Sequence, residues 1–161
     1  MDLKQNSKKI SLAILVLVLL AAIGFYLSLS KKPNQTAKQN PNPNVAKGPQ
    51  PTFALKGETV ESFPKELILD TKAQLEQSYK IDYTSQLQST ATFNSSQSMK
   101  ALFDSYKAYL KTHDWKVTNE ITSNPGSLGL YAVSVKANAE VSAVFIAKGK
   151  QTQVSVSYLK K

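Results

Sequence analysis

The chain has no cysteine, no arginine, a single histidine and a single tryptophan among its 161 residues. Without cysteine there is no disulfide framework, no thiolate nucleophile, no metal centre built on sulfur and no lipid-modified N-terminal cysteine. One histidine cannot form a histidine cluster for a metal. The missing arginine removes the usual bidentate reader of guanine. Six glycines are dispersed, with no phosphate-cradling loop and no calcium-loop pattern. What abounds is lysine: all 20 basic residues are lysine, against 11 acids, for a net charge of +9.

That charge sits beside one long apolar run. Residues 10–29 read ISLAILVLVLLAAIGFYLSL, with nothing ionisable. As a helix, 20 residues span about 30 Å, the hydrocarbon thickness of a bilayer. Thirteen of them are Leu, Ile, Val or Phe, which favours insertion by roughly 4–8 kcal/mol. Lys8 and Lys9 close one end, Lys31 and Lys32 the other, and Tyr26 suits the outer interface. The run is longer than a signal peptide needs, although Ser28 and Ser30, or Ala22 and Gly24, would serve a cleavage site. An uncleaved membrane helix at 10–29 is therefore expected, behind a short tail at 1–9, with secretion after cleavage as the alternative. Lysines on both sides leave the positive-inside rule undecided. A short tail before a first apolar segment usually stays in the cytoplasm, so the rest of the chain is expected outside it.

Residues 30–51 hold five of the seven prolines, four asparagines and one large apolar residue besides the cations. Such a segment buries too little to offset its ordering entropy and reads as a disordered spacer. At about 3.1 Å per residue it would reach up to roughly 65 Å from the bilayer. Asn34-Gln35-Thr36 and Asn94-Ser95-Ser96 match the N-glycosylation pattern.

Residues 52–161 carry the periodicity of a folded domain. Thr52 to Phe63 reads as an irregular lead-in, with a short strand allowed at Glu66 to Asp70. Leu75 to Tyr83 alternates, placing Leu75, Tyr79, Ile81 and Tyr83 on one face and Glu76, Ser78, Lys80 and Asp82 on the other. Leu87 to Phe93 alternates again, with Ala91 and Phe93 inward, so the two form a hairpin. Asn94-Ser95-Ser96 offers N-cap chemistry. Met99, Leu102, Phe103, Tyr106, Tyr109 and Leu110 then fall at helical spacing, giving one amphipathic helix over about 96–112, ended by His113-Asp114. Beyond it Trp115, Val117 and Ile121 share a face. Tyr131, Val133 and Val135 share another, the segment around Val144 to Ile146 is apolar on both sides, and Val154, Val156 and Tyr158 point inward. The expected domain is α+β, with one helix on one face of an antiparallel sheet in the order β-β-α-β-β-β and a polar second face meeting water.

The spacing Tyr106, Leu110, Trp115, Val117, with Phe103 ahead and a meander behind, resembles a type of small membrane-anchored envelope α+β domain of uncharacterised function. Its helix reads Phe-Tyr, then Leu, then Gly-Trp-x-Val. The Pro-rich opening of that type is matched here at Pro64, Leu67, Leu69 and Ala73, while Ile68, Thr71, Lys72 and Asp114 depart from it. The resemblance implies the fold and an envelope location, and carries over no catalytic residue.

No catalytic, cofactor-binding or metal-binding residue is expected. His113 reads as an exposed helix-end residue. Glu58, Glu61, Glu66 and Asp70 are the only carboxylates close enough in sequence to suggest a glycosidase-like pair. Residues 1–51 hold seven lysines and one acid, and residues 52–161 hold thirteen lysines and ten acids, so the charge divides as +6 and +3. Most of the excess flanks the membrane run, where lysines serve topology and lipid head groups. Nucleic acid is not expected as a partner, and no small-molecule ligand is evident. The expected partners are the bilayer, through 10–29, and another envelope protein. Two alternatives are a cell-wall-directed enzyme or its accessory domain, and a binder of extracellular DNA or an acidic polymer.

Overall fold

A computed structural model describes residues 48–161; the tail, the membrane helix expected at 10–29 and linker residues up to 47 lie outside the described residues. Among the described residues no helix is long and apolar enough to cross a membrane. The elements are β1 (Thr52–Phe53), a 3-10 turn (Lys65–Leu67), β2 (Gln74–Asp82), β3 (Leu87–Ser95), α1 (Met99–Thr112), β4 (Lys116–Asn124), β5 (Ser127–Ser134), β6 (Ala139–Lys148) and β7 (Gln151–Lys160). The seven strands make one antiparallel sheet in the order β1-β2-β3-β7-β6-β5-β4. Four strands follow the helix and one two-residue strand precedes the hairpin, which corrects the expected β-β-α-β-β-β order. The β3–β7 pairing at the centre joins the hairpin to the four-strand meander, and α1 carries the chain from central β3 to the far edge at β4.

Local chemistry explains the turns. Ser98, not Ser96, caps α1: its hydroxyl accepts from the Ala101 amide at 3.3 Å. Asn94 and Ser95 remain in β3. Asp114 takes the left-handed conformation expected after the helix, with φ 61°. Asn138 does the same in the β5–β6 turn, with φ 47°, a state Asn tolerates better than most residues.

The core lies on one face of the sheet. Leu102, Phe103, Tyr106 and Leu110 of α1 meet Leu130, Ala132, Val141, Ala143 and Phe145. Tyr106 and Phe103 both set their rings edge-on to Phe145, at centroid distances of 5.2 and 5.9 Å. Helix α1 packs on β4, β5 and β6, which leaves the β2–β3–β7 half to be covered otherwise. The segment before β2 does this. Val60, Phe63 and Leu67 are buried in the same core, the Val60 amide donates to Ser78 Oγ, and Ser62 and Ser89 share a hydrogen bond of 2.6 Å. The lead-in is thus the second half of the covering layer. The strand allowed at Glu66–Asp70 is instead the 3-10 turn, whose Leu67 carbonyl accepts from the buried Tyr106 hydroxyl.

Two β-bulges reset which residues face the core. In β2, Leu75 pairs with Phe93 but Gln77 with Thr92, so Glu76 is the extra residue. Beyond it Ser78 lies opposite inward Ala91 and is 2% exposed, while Tyr79 lies opposite Thr90 on the other face. In β4, Val117 pairs with Ala132 and Asn119 with Tyr131. Val117 therefore faces the core, and Ile121 faces away, against Gly129. In β5 the buried large or apolar side chains are Leu130 and Ala132, and Val135, just beyond the strand, is 94% exposed. Tyr131 and Val133, expected to share a face, do so on the side away from the helix.

Candidate functional site

The face without a helix can be read as rows across the strands. One row runs Phe53, Tyr79, Thr90, Ser157, Ser142, Tyr131 and Asn119 through successive pairings. Its middle is three small hydroxyl residues; its flanks are aromatic. Tyr79 and Tyr131 stand four strands apart, roughly 19 Å by inter-strand spacing. Phe53 packs on Tyr79 at 5.7 Å between ring centroids. The neighbouring row sets Gln77, Thr92 and Ser155 side by side. Hydroxyls pair across β3 and β7: Thr90 with Ser157 at 2.9 Å, and Thr92 with Ser155 at 3.3 Å. At one end the bulge residue Glu76 accepts from Asn94 and from Gln153, each at 2.6 Å. At the other, the buried Glu140 is paired with Lys161. The face is therefore mixed: paired hydroxyls at its middle, with Thr90 and Ser157 buried, tyrosines at its flanks, and Ile81, Leu159, Val133, Val144 and Ile121 in the rows on either side. A bulge places Tyr79 there, so simple alternation assigns it to the wrong side.

A second feature opens on the helix side, where the covering layer stops. A cleft of about 250 Å³ lies between the lead-in and the free ends of β3 and β7, lined by Glu61, Ser62, Phe63, Pro64, Leu87, Ser89, Tyr158 and Lys160. Leu87 faces Lys160 and Ser89 faces Tyr158 in register, so these four form its floor. Trp115 sets its ring edge against Tyr158 at 6.4 Å. Partial burial, with the Glu66 carboxylate nearby, pushes the Tyr158 hydroxyl above its ordinary pKa and keeps it a neutral donor. Nothing in the periodicity of the lead-in marked this cleft. Pro64 beside an isolated aromatic was the available signal.

The carboxylates close in sequence differ in setting. Glu58, Glu61 and Glu66 are exposed. Asp70 is buried and committed to the fold, accepting from Ser95 Oγ at 2.5 Å and from the Lys72 amide at 2.9 Å. Those hydrogen bonds, the Ser95 one foremost, hold its carboxyl below the usual carboxylate pKa. Among the described residues no group of three or more His, Asp or Glu side chains is placed to hold a metal. His113 is exposed at the end of α1, stacked on Tyr109 at 3.9 Å, with Nδ1 2.8 Å from the Tyr109 carbonyl. The lysines of α1 are not a uniform cationic stripe: Lys100 pairs with Asp104 and Lys107 with Glu120. Exposed pairs of this kind contribute little stability, but they dilute the local field. No known protein family, no curated protein and no solved structure matches the chain.

Proposed function

We propose that the chain is a single-pass membrane-anchored protein that presents a small non-enzymatic binding domain outside the cytoplasm, as part of a cell-envelope assembly. The apolar run at 10–29 supports the anchor, and the Pro/Asn/Lys-rich segment behind it supports a spacer. The observation that carries the binding role is the open sheet face, where paired hydroxyls are flanked by Tyr79 and Tyr131. Tyrosine presents a large amphipathic contact area at low entropic cost and is enriched at interfaces. The partner is another envelope protein that settles on this face.

Two measurements test the reading. Protease added to intact cells should digest residues 52–161 of the full-length chain; complete protection would overturn the topology. A photo-crosslinking residue at Ser142 should give a discrete adduct in cells, while one at Lys100 on the helix side should not. No adduct at Ser142, or equal adducts at both, would overturn the docking face.

A further inference from the structure

The cleft at the end of the covering layer holds two charges of opposite sign. Glu61 stands on its lead-in wall and Lys160 on its floor. Four of the thirteen lysines in residues 52–161 form ion pairs: Lys100 with Asp104, Lys107 with Glu120, Lys136 with Asp114 and Lys161 with Glu140. No ion pair joins Glu61 or Lys160 to each other or to any other described residue. The same cleft holds the Ser62–Ser89 hydroxyl pair. When one hydroxyl donates to the other, the accepting hydroxyl keeps its own hydrogen for a third group. Leu87 supplies an apolar surface, and the Tyr158 hydroxyl remains neutral. At about 250 Å³ the cleft falls below the roughly 300–1,000 Å³ typical of drug-sized ligands. It suits something smaller.

We propose that this cleft binds a small zwitterion, a free amino acid or a short unblocked peptide, with its ammonium group toward Glu61 and its carboxylate toward Lys160. The serine hydroxyls then donate to the carboxylate or accept from the ammonium, and Leu87 meets the aliphatic part. Opposite charges on the wall and on the floor match a ligand that carries both charges a few bonds apart; a single ion would leave one of them uncompensated. The site is separate from the docking face, because Leu87, Ser89, Tyr158 and Lys160 all lie on the helix side of the sheet. The sequence offered no sign of it, since Glu61 and Lys160 are about a hundred residues apart.

The test is titration calorimetry on the full-length chain in detergent, with four probes: alanine, alanyl-alanine, N-acetyl-alanyl-alanine and alanyl-alanine amide. Saturable binding is expected for alanyl-alanine or alanine, the stronger of the two naming the source. Acetylation should weaken it about tenfold or more, and so should amidation, because each removes a charge-assisted hydrogen bond. E61Q should weaken the unblocked probe to the same extent without further weakening the acetylated one. K160Q should show the same relation to the amide. Both residues are exposed, so both variants should keep the wild-type melting temperature. No saturable heat with either unblocked probe would overturn the proposal, as would probes whose affinity ignores E61Q and K160Q. Neither result would bear on the Ser142 adduct.

Discussion

The Asp70 carboxylate and the Ser95 hydroxyl meet at 2.5 Å across 25 residues of chain, tying the segment before β2 to the last residue of β3. Ser95 Oγ also accepts from the Gln97 amide, so the same atom starts the approach to α1. Because these bonds favour the ionised acid, the folded pKa of Asp70 lies below its unfolded value. The sign follows: the stabilisation is full above the ordinary carboxylate range and is lost as pH falls through the depressed folded value. Urea midpoints measured at pH 7 and then at successively lower pH should fall for the wild type, and fall less for Asp70→Asn. Ser95→Ala should cost about 1–3 kcal/mol at pH 7, since it strands a buried acceptor and a backbone donor together. A Ser95→Ala variant as stable as wild type would contradict this.

Ser78 and Tyr79 test the β2 bulge. Plain alternation puts Tyr79 in the core and Ser78 in water; the bulge at Glu76 reverses them. Ser78 accepts from the Val60 amide at 3.1 Å and donates to the Thr90 carbonyl at 2.9 Å. Ser78→Ala should therefore cost about 1–3 kcal/mol, by leaving the Val60 amide unpaired. Tyr79→Ser, on the open face, should cost less than Ser78→Val, which inserts bulk and removes both bonds. Chemical denaturation of the two variants decides it; the opposite order would place Tyr79 in the core.

These two residues also mark where the sequence stopped being readable. Period two and period 3.6 found the hairpin, the helix and an antiparallel run after it, one strand short of the four observed, because side chains that alternate or recur follow backbone geometry directly. A bulge adds one residue without changing composition, so every position after it moves to the opposite face unannounced. Ile121 was misplaced by the bulge in β4 as Tyr79 was by that in β2. The lead-in failed differently. Val60, Phe63 and Leu67 fall three and four apart, yet only a 3-10 turn at Lys65–Leu67 forms there, so spacing alone did not report how an irregular path meets the core. On the open face, the Thr, Ser and Gln in alternate positions were legible, and the apolar residues beside them were not. Its tyrosine flanks, and the cleft assembled from Glu61, Leu87 and Lys160, depend on strand order, which no local pattern states.

The helix start offers a simpler measurement. Ser98 is the cap, and Ser96 lies outside α1. Ser98→Ala should destabilise the domain by about 1 kcal/mol, and Ser96→Ala by less than half of that, since only the first removes an acceptor from a first-turn amide. Thermal melts of the two variants compare them directly. Equal losses would mean that Ser96 also supports the helix start.

Tyr106 joins three parts of the domain at once. Its ring packs on Phe145 of β6, its backbone belongs to α1, and its hydroxyl donates to the Leu67 carbonyl in the 3-10 turn. Burial pushes its pKa far above the ordinary tyrosine value, so the hydroxyl stays a donor in the folded state, and its contribution to stability is lost as pH rises above the ordinary tyrosine range, where the unfolded chain ionises first. Tyr106→Phe keeps the ring and removes only the donor, leaving the Leu67 carbonyl short of a partner; about 1–3 kcal/mol should be lost. Tyr106→Ala also opens a cavity between α1 and β6 and should cost about 3–5 kcal/mol. Hydrogen exchange separates the two effects. In Tyr106→Phe the amides of Leu67 and Ile68, which close the 3-10 turn by donating to Pro64 and Lys65, should lose protection before those of α1. In Tyr106→Ala both should weaken together. Uniform loss of protection in Tyr106→Phe would mean that the hydroxyl does not hold the lead-in to the helix.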